Sequence, residues 1–192
     1  MDPDQILVAR AAAGSREAFD EIVRRYRRRV YSLVRALTGR DNEAEDLVQD
    51  VFVRAFRAIG AFRGDSAFRS WLYRIALNVV HTHLDKRRVR DATLATSLHA
   101  PSVDDVAAHE DLEKEVVRRQ AIDRALADLP EDLRVLVVLR DVHGLKYDEI
   151  AKIVKTPRGT VESRLFRARQ RLRPALQAFM SRAQKKRERG RV

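Results

Sequence analysis

Residues 147–173 read YDEIAKIVKTPRGTVESRLFRARQRLR, a stretch that divides into a short helix, a tight turn and a longer helix. Asp148 and Glu149 fall in the first turn of the leading helix, where the helix dipole favours anions. Ala151 is small enough to let a second helix cross closely. Thr156 is placed to cap that second helix, with Pro157 at the first helical position, where a missing N–H costs nothing. Val161, Leu165, Ala168 and Leu172 then form an inward stripe. The remaining face presents Arg158, Thr160, Glu162, Ser163, Arg164, Phe166, Arg167, Arg169, Arg171 and Arg173. Arginine can read guanine edges bidentately, glutamate can accept from cytosine, and phenylalanine can touch thymine methyl groups. The segment is therefore a helix-turn-helix whose second helix is equipped to read bases as well as to hold phosphates.

Working outward, apolar residues recur at helical spacing almost throughout, with no sustained period-two run, and the expected class is all-α. Asp2 or Asp4 can cap a first short helix that Gly14 ends. Ser15 then starts a longer one carrying Phe19, Ile22, Val23, Tyr26, Val30, Leu33, Val34 and Leu37, closed by Gly39. Asp41 is expected to cap a third helix through Leu47, Val48, Val51, Phe52, Ala55, Phe56 and Ile59, broken at Gly60. After a loop at 61–65, Ser66 can cap a fourth, with Phe68, Trp71, Leu72, Ile75, Ala76 and Val79 facing the core. Beyond a Pro- and Ala/Ser/Thr-containing stretch, Pro130 suits the first turn of a nearly all-apolar helix running to Gly144.

The 192 residues carry a net charge of +11, distributed unevenly. Residues 1–90 hold 18 Lys/Arg against 12 Asp/Glu, residues 91–117 hold 1 against 7, and residues 118–192 hold 20 against 9. Two basic lobes with an acidic connector suit two separate polyanion contacts. The expected division is 1–90, a flexible acidic linker at 91–112, a second small domain at 113–180, and a disordered basic tail at 181–192. The chain has no cysteine, so thiol redox chemistry, disulfides and thiolate metal sites are excluded. No apolar run approaches a membrane span and the first residues lack signal-peptide character, so no membrane insertion and a cytoplasmic location are expected. No cofactor motif is found. The acids Asp41, Glu43, Glu45, Asp46 and Asp50 spread along a helix rather than converge, and His81 and His83 point to different sides, so no nuclease centre and no enzymatic activity are expected.

Three stretches carry most of a resemblance that begins at VARAAAGSREAF (8–19): DLVQDVFVRAF at 46–56, FRGDSAFRSWLYRIALN at 62–78, and LPEDLR at 129–134 with the helix-turn-helix. Together they resemble the extracytoplasmic-function sigma factors of bacterial RNA polymerase, closest to the sigma-E type, over nearly the whole chain to about Leu176. The resemblance implies a first lobe that grips core polymerase and opens the minus-ten element, and a second that reads the minus-thirty-five element of duplex promoter DNA. It assigns Asp46, Gln49 and Asp50, which share one helical face, to a coiled coil of the polymerase. It assigns Asn78 to holding a base flipped from the melted non-template strand, and loop residues Phe62, Arg63, Gly64, Asp65 and Ser66 to the pocket wall. An amide suits that role, since it donates and accepts at one base edge, and extraction costs about a few kcal/mol. Arg69, Arg74 and His81 suit backbone phosphate. Arg158, Thr160, Glu162, Ser163, Arg164, Phe166, Arg167 and Arg171 are the expected minus-thirty-five contacts. Glu162 stands where close members often carry a basic residue, which leaves the sequence preference open. The resemblance also implies an anti-sigma partner. The rival reading is a conventional helix-turn-helix regulator not tied to polymerase.

Overall fold

Ser15 starts the first long helix by accepting a hydrogen bond from the Ala18 amide at 3.2 Å. Gly39 ends that helix in the left-handed conformation (φ 72°), donating its own amide to the Arg35 carbonyl. These caps bound α2 (Arg16–Thr38), which follows α1 (Pro3–Ala12). The chain is described by a computed structural model covering residues 3–93 and 120–189, and the described residues contain helices and turns but no strand. After α2 come α3 (Asp41–Ala58), a 3-10 turn (Ile59–Ala61) and α4 (Phe68–Thr93). The second lobe comprises α5 (120–127), α6 (Glu131–Val137) with a π turn (Val138–Val142), α7 (Tyr147–Val154) and α8 (Arg158–Arg189).

Several helix starts differ from the sequence reading by a residue, each for a local reason. Asp41 lies inside α3 rather than capping it, because its carboxylate is taken by Tyr31 Oη at 3.0 Å and Arg35 Nε at 2.6 Å. The first α4 turn closes on the Ala67 carbonyl, so Ala67 and not Ser66 holds the cap position. Pro130 and Pro157 are likewise cap residues, their carbonyls accepting the first intrahelical bonds. The Thr156 hydroxyl instead donates to the Val154 carbonyl at 3.2 Å, closing the end of α7. At the far end, α8 continues to Arg189, through most of the segment expected to be a disordered tail. After Ser181 that run (residues 182–189) is built of Ala, Gln, Lys, Arg and Glu, all good helix formers. The acidic linker lies almost wholly outside the described residues, and its first three positions, 91–93, extend α4.

In the first lobe the core is filled by Ile22, Val30, Leu33 and Val34 of α2, Ala44, Val48 and Val51 of α3, and Leu72 and Ala76 of α4, all at most 1 % exposed. In the second lobe Leu139, Leu145, Ile150, Val161, Leu165 and Ala168 do the same. The lobes are docked: α7 packs on α4, and α6 with the π turn packs on α2. Arg134 reaches across to the Leu37 carbonyl at 3.1 Å while holding the Ala127 and Leu129 carbonyls of its own lobe at 2.8 and 3.0 Å. It thereby satisfies orphan carbonyls near the C-termini of two helices, where the dipoles also favour a cation. Arg35 pairs with Asp123 at 2.5 Å, Arg88 with Glu131, and Tyr73 Oη with His143 Nδ1 at 3.0 Å.

Two outcomes follow. Leu72→Ala removes a fully buried side chain at the centre of the first lobe and is expected to cost about 2–5 kcal/mol, read from the denaturant midpoint. His143 is pushed down to about 4 by burial and by the neighbouring Arg69 and Arg29. Its neutral form therefore favours docking above its ordinary value near 6.5, and that contribution is lost progressively as the pH falls from there toward 4. Melting at pH 7 and pH 5 is expected to show a larger drop for the native chain than for His143→Gln; equal drops would assign the acid sensitivity to other groups.

Candidate functional site

The α3 residues Asp46, Gln49 and Asp50 are exposed and share one face, with Asp50 held by Arg54 at 3.4 Å. The same face continues through Val53 and Phe56, which remain 46 % and 49 % exposed. Sequence periodicity places Phe56 among the inward residues and overlooks Val53. The signal lies in the spacing: 46, 49, 53 and 56 follow one another at three and four residues. Phe56 is still anchored, edge-on to Phe19 at 5.0 Å between centroids. The result is a surface with carboxylates and an amide at one end and two apolar side chains at the other.

In the loop before α4, Arg63, Gly64 and Asp65 are exposed and Ser66 is half-buried. Gly64 adopts φ 78°, a conformation that side-chain-bearing residues rarely take, so this turn depends on glycine. Phe62 turns inward and forms an aromatic cluster with Phe68 (5.7 Å) and Trp71 (5.2 Å). Trp71 is accordingly a half-buried packing residue that ties the loop to α4. On α4 itself Asn78 is exposed, and Arg74, Asn78 and His81 line one edge of a cleft. His81 pairs with Asp85 at 2.7 Å, whereas His83 turns to Glu43 at 2.9 Å, so the two imidazoles do point apart. Burial opposes the Glu43 charge, but the His83 hydrogen bond with Arg40 and Arg87 holds its carboxyl below the ordinary range. Arg69 belongs to a different neighbourhood, 3.6 Å from Glu149 of the second lobe.

The turn between α7 and α8 is set by Lys155, a non-glycine residue at φ 51°. Its strain, of order 1–3 kcal/mol, is carried by a tightly fastened unit: the Lys146 amide donates to Glu149 at 2.8 Å, and the Thr156 amide donates to the Ala151 carbonyl. On α8 the outward residues fall into four groups. Arg158 is held by Glu162 (2.8 Å) and Asp148 (3.3 Å), so this arginine and Glu162 present a paired unit. Its guanidinium is raised above its ordinary value by the Glu162 hydrogen bond and the two carboxylate charges. Ser163 folds back onto the Thr160 carbonyl at 3.1 Å, and Arg169 is bound to Asp141 of the π turn, which fastens α8 to α6. Phe166, 64 % exposed, and Arg167 and Arg171 face outward, and among the described residues neither arginine has a carboxylate partner. Arg164 lies 3.9 Å from Asp132 and lines the same cleft as Asn78.

Neither the acids of α3 nor the histidines of α4 assemble into a metal-holding group among the described residues. No helix among them is long and apolar enough to cross a membrane. The outward residues lie on α3 and α4 in the first lobe and on α8 in the second, and the cleft lined by Asn78, His81 and Arg164 runs between the two groups.

Comparison with known proteins matches both lobes. The family model for Sigma-70 region 2 covers residues 22–90, and that for Sigma-70 region 4 covers residues 119–172. The chain is 38 % identical to the RNA polymerase sigma-H factor of Pseudomonas aeruginosa across 95 % of its own length and 98 % of the relative's. It is 39 % identical to the ECF RNA polymerase sigma-E factor of Escherichia coli K12, across 93 % and 97 %. The sigma factor RpoE of Bartonella quintana, solved with the anti-sigma factor NepR, superposes with a TM-score of 0.69 at 27 % identity over 83 % of this chain and 96 % of that one. A region 2 match across the first lobe disfavours the rival reading of a conventional regulator, in which a sensory lobe stands there. The chain thus belongs to the sigma-70 family of RNA polymerase sigma factors, in its extracytoplasmic-function branch.

Proposed function

We propose that this chain works in the cytoplasm as a promoter-specificity subunit, with the first lobe, residues 1–90, gripping core polymerase and opening the minus-ten element. The second, residues 113–180, anchors the minus-thirty-five element. The observation that carries this division is the pair of outward faces on one chain: the Asp46, Gln49, Asp50 face on α3 with Asn78 on α4, and the Phe166, Arg167, Arg171 face on α8. No covalent chemistry and no cofactor enter the reading. An anti-sigma factor is the expected inhibitor, as for the relative solved with NepR.

Within that division Arg63, Gly64, Asp65 and Ser66 wall the pocket for a flipped base, with Phe62 supporting the wall from inside through its ring contacts. Arg69, Arg74 and His81 meet backbone phosphate. On α8, Thr160, Ser163 and Arg164 flank the reading face, and the Arg158–Glu162 pair is preorganised, so Glu162 is aimed rather than free to swing. A carboxylate held in this way accepts from a cytosine amine and disfavours bases that offer only acceptors.

The direct test is run-off transcription from purified parts. Core polymerase with this chain is expected to start from its own promoters without another sigma factor, and failure on every such promoter would end the reading. Asn78→Ala is expected to leave duplex binding intact but to impair promoter opening, seen as lost permanganate reactivity; normal opening would remove Asn78 from the role. Arg167→Ala is expected to cost about 1–3 kcal/mol at one base position. Arg171→Ala should weaken all sequences alike and flatten the salt dependence of binding. Equal, sequence-blind losses would show that both arginines only hold phosphate.

A further inference from the structure

Arg28, Arg29 and Ser32 share one side of α2 at spacings of three and four residues, and Arg69 and Tyr73 are four apart on α4. The two helices pack together, and with Val142 and His143 from the end of the π turn these residues line a hollow of about 430 Å³. That volume suits a small molecule, for which sites run to about 300–1,000 Å³. The lining is unusually polar for such a site. It holds three guanidiniums, two hydroxyls and an imidazole, with Val142 as the one aliphatic member and no carboxylate.

The pairing of arginines along α2 singles this hollow out. Arg24, Arg25 and Arg27 are each held by a carboxylate at 2.7 or 2.8 Å. Arg28 and Arg29, the two that line the hollow, are exposed and have no carboxylate partner among the described residues; Arg29 lies over the Tyr26 ring at 5.8 Å. Arg69 has only Glu149, at 3.6 Å. The wall also contains an unmet hydrogen-bonding atom. Tyr73 Oη has no other acceptor among the described residues and donates to His143 Nδ1 at 3.0 Å, which leaves the neutral ring with its proton on Nε2. That Nε2 is buried without a hydrogen-bond partner. Burial first, and then the charges of Arg69 and Arg29, keep the ring neutral by pushing it down to about 4. Three poorly matched cations beside an unused donor form a setting for an anion rich in acceptor oxygens.

We propose that this hollow binds a condensed phosphate, the pyrophosphate or triphosphate group of a small ligand. A guanidinium fork takes phosphate oxygens two at a time, and three forks from two helices suit a run of adjacent phosphates better than a single one. Ser32 adds a hydroxyl donor between them. A nucleoside attached to the phosphates gains little here, because Tyr73 is only 1 % exposed and the hollow offers no open aromatic face for a base. The hollow thus reads phosphate rather than base. Arg28, Arg29 and Ser32 belong to none of the faces proposed for polymerase or promoter, and Arg69 brings to the hollow the same chemistry that suits it to backbone phosphate.

The test is calorimetric titration of the full chain with inorganic tripolyphosphate, in magnesium-free buffer at fixed ionic strength. One tripolyphosphate is expected per chain, bound at least about tenfold more tightly than orthophosphate. Arg28→Gln, at an exposed position, is expected to weaken binding by on the order of tenfold with circular dichroism unchanged. Arg24→Gln, on the same helix but held by Glu21, is expected to leave it unaltered. The His143 ring signals, identified in the proton NMR spectrum by their loss in His143→Gln, are expected to shift on titration. ATP serves as the second arm: an affinity equal to or below that of tripolyphosphate supports a free phosphate chain as the ligand, and a higher one supports a nucleotide. Absence of saturable binding overturns the proposal. So do equal losses in Arg24→Gln and Arg28→Gln with an unmoved His143 signal, which would reduce the hollow to part of a generally basic surface. Displacement of tripolyphosphate by random-sequence duplex DNA at equal phosphate concentration would assign the hollow to nucleic-acid backbone and also overturn it.

Discussion

The helix α4 has two buried faces, and most of the structure depends on that. One face, through Phe68, Leu72, Ala76 and Val79, closes the core of the first lobe. The other, through Ser70, Tyr73, Val80 and their half-buried neighbours, is covered by α7 and the end of the π turn. Each lobe spans fewer than 100 residues, a size at which a domain buries only about 60 % of its unfolded surface. Docking along α4 offsets that shortfall for both. It also places Asn78 at the rim of the junction, so the residue assigned to the flipped base and the packing of the lobes are physically linked.

Polar contacts give this junction its register. Apolar seams are tolerant of sliding, but Arg134 must find three carbonyls from two lobes at once, and Arg35 must serve Asp41 in its own lobe and Asp123 in the other. Hydrogen bonds from a charged donor are worth about 1.5–3 kcal/mol each and are costly to leave unmade when partly buried. The junction is therefore a specific arrangement that can be separated as a unit, since nothing in it interlocks the two cores. The acid sensitivity expected of it has the same origin: His143 is half-buried against Tyr73 with Arg28, Arg29 and Arg69 around it, a setting hostile to a second proton on the ring.

The helices themselves were legible, because their causes are local. Ser15, Gly39 and the Pro157 turn announce themselves in the residue types, and the stripe Val161, Leu165, Ala168, Leu172 is buried as its spacing implies. The exposure of Asp46, Gln49 and Asp50 was likewise visible from spacing alone. What escaped was everything set by distant residues. Asp41 reads as a cap until Tyr31 and Arg35 claim it, and the ring contacts of Phe62 with Phe68 and Trp71 do not show in its spacing. Tyr73 breaks the inward stripe of α4 and looks incidental, yet it is among the least exposed residues because the second lobe covers it. Its membership of a second stripe, 70, 73, 77, 80 and 84, was available in the sequence, but it gains meaning only once a partner surface is known to exist. The pairing of Arg158 with Glu162 was also available, at four-residue spacing on a helix, and it turns an unexpected carboxylate on the reading face into an oriented one.

The account stands on the free chain being one docked body rather than two lobes on a tether. Small-angle X-ray scattering of the full chain in the absence of polymerase measures this most directly. Docked lobes predict a pair-distance distribution with a single peak. A second peak at a larger separation would mean that α4 carries an uncovered apolar face in solution, and it would contradict the account.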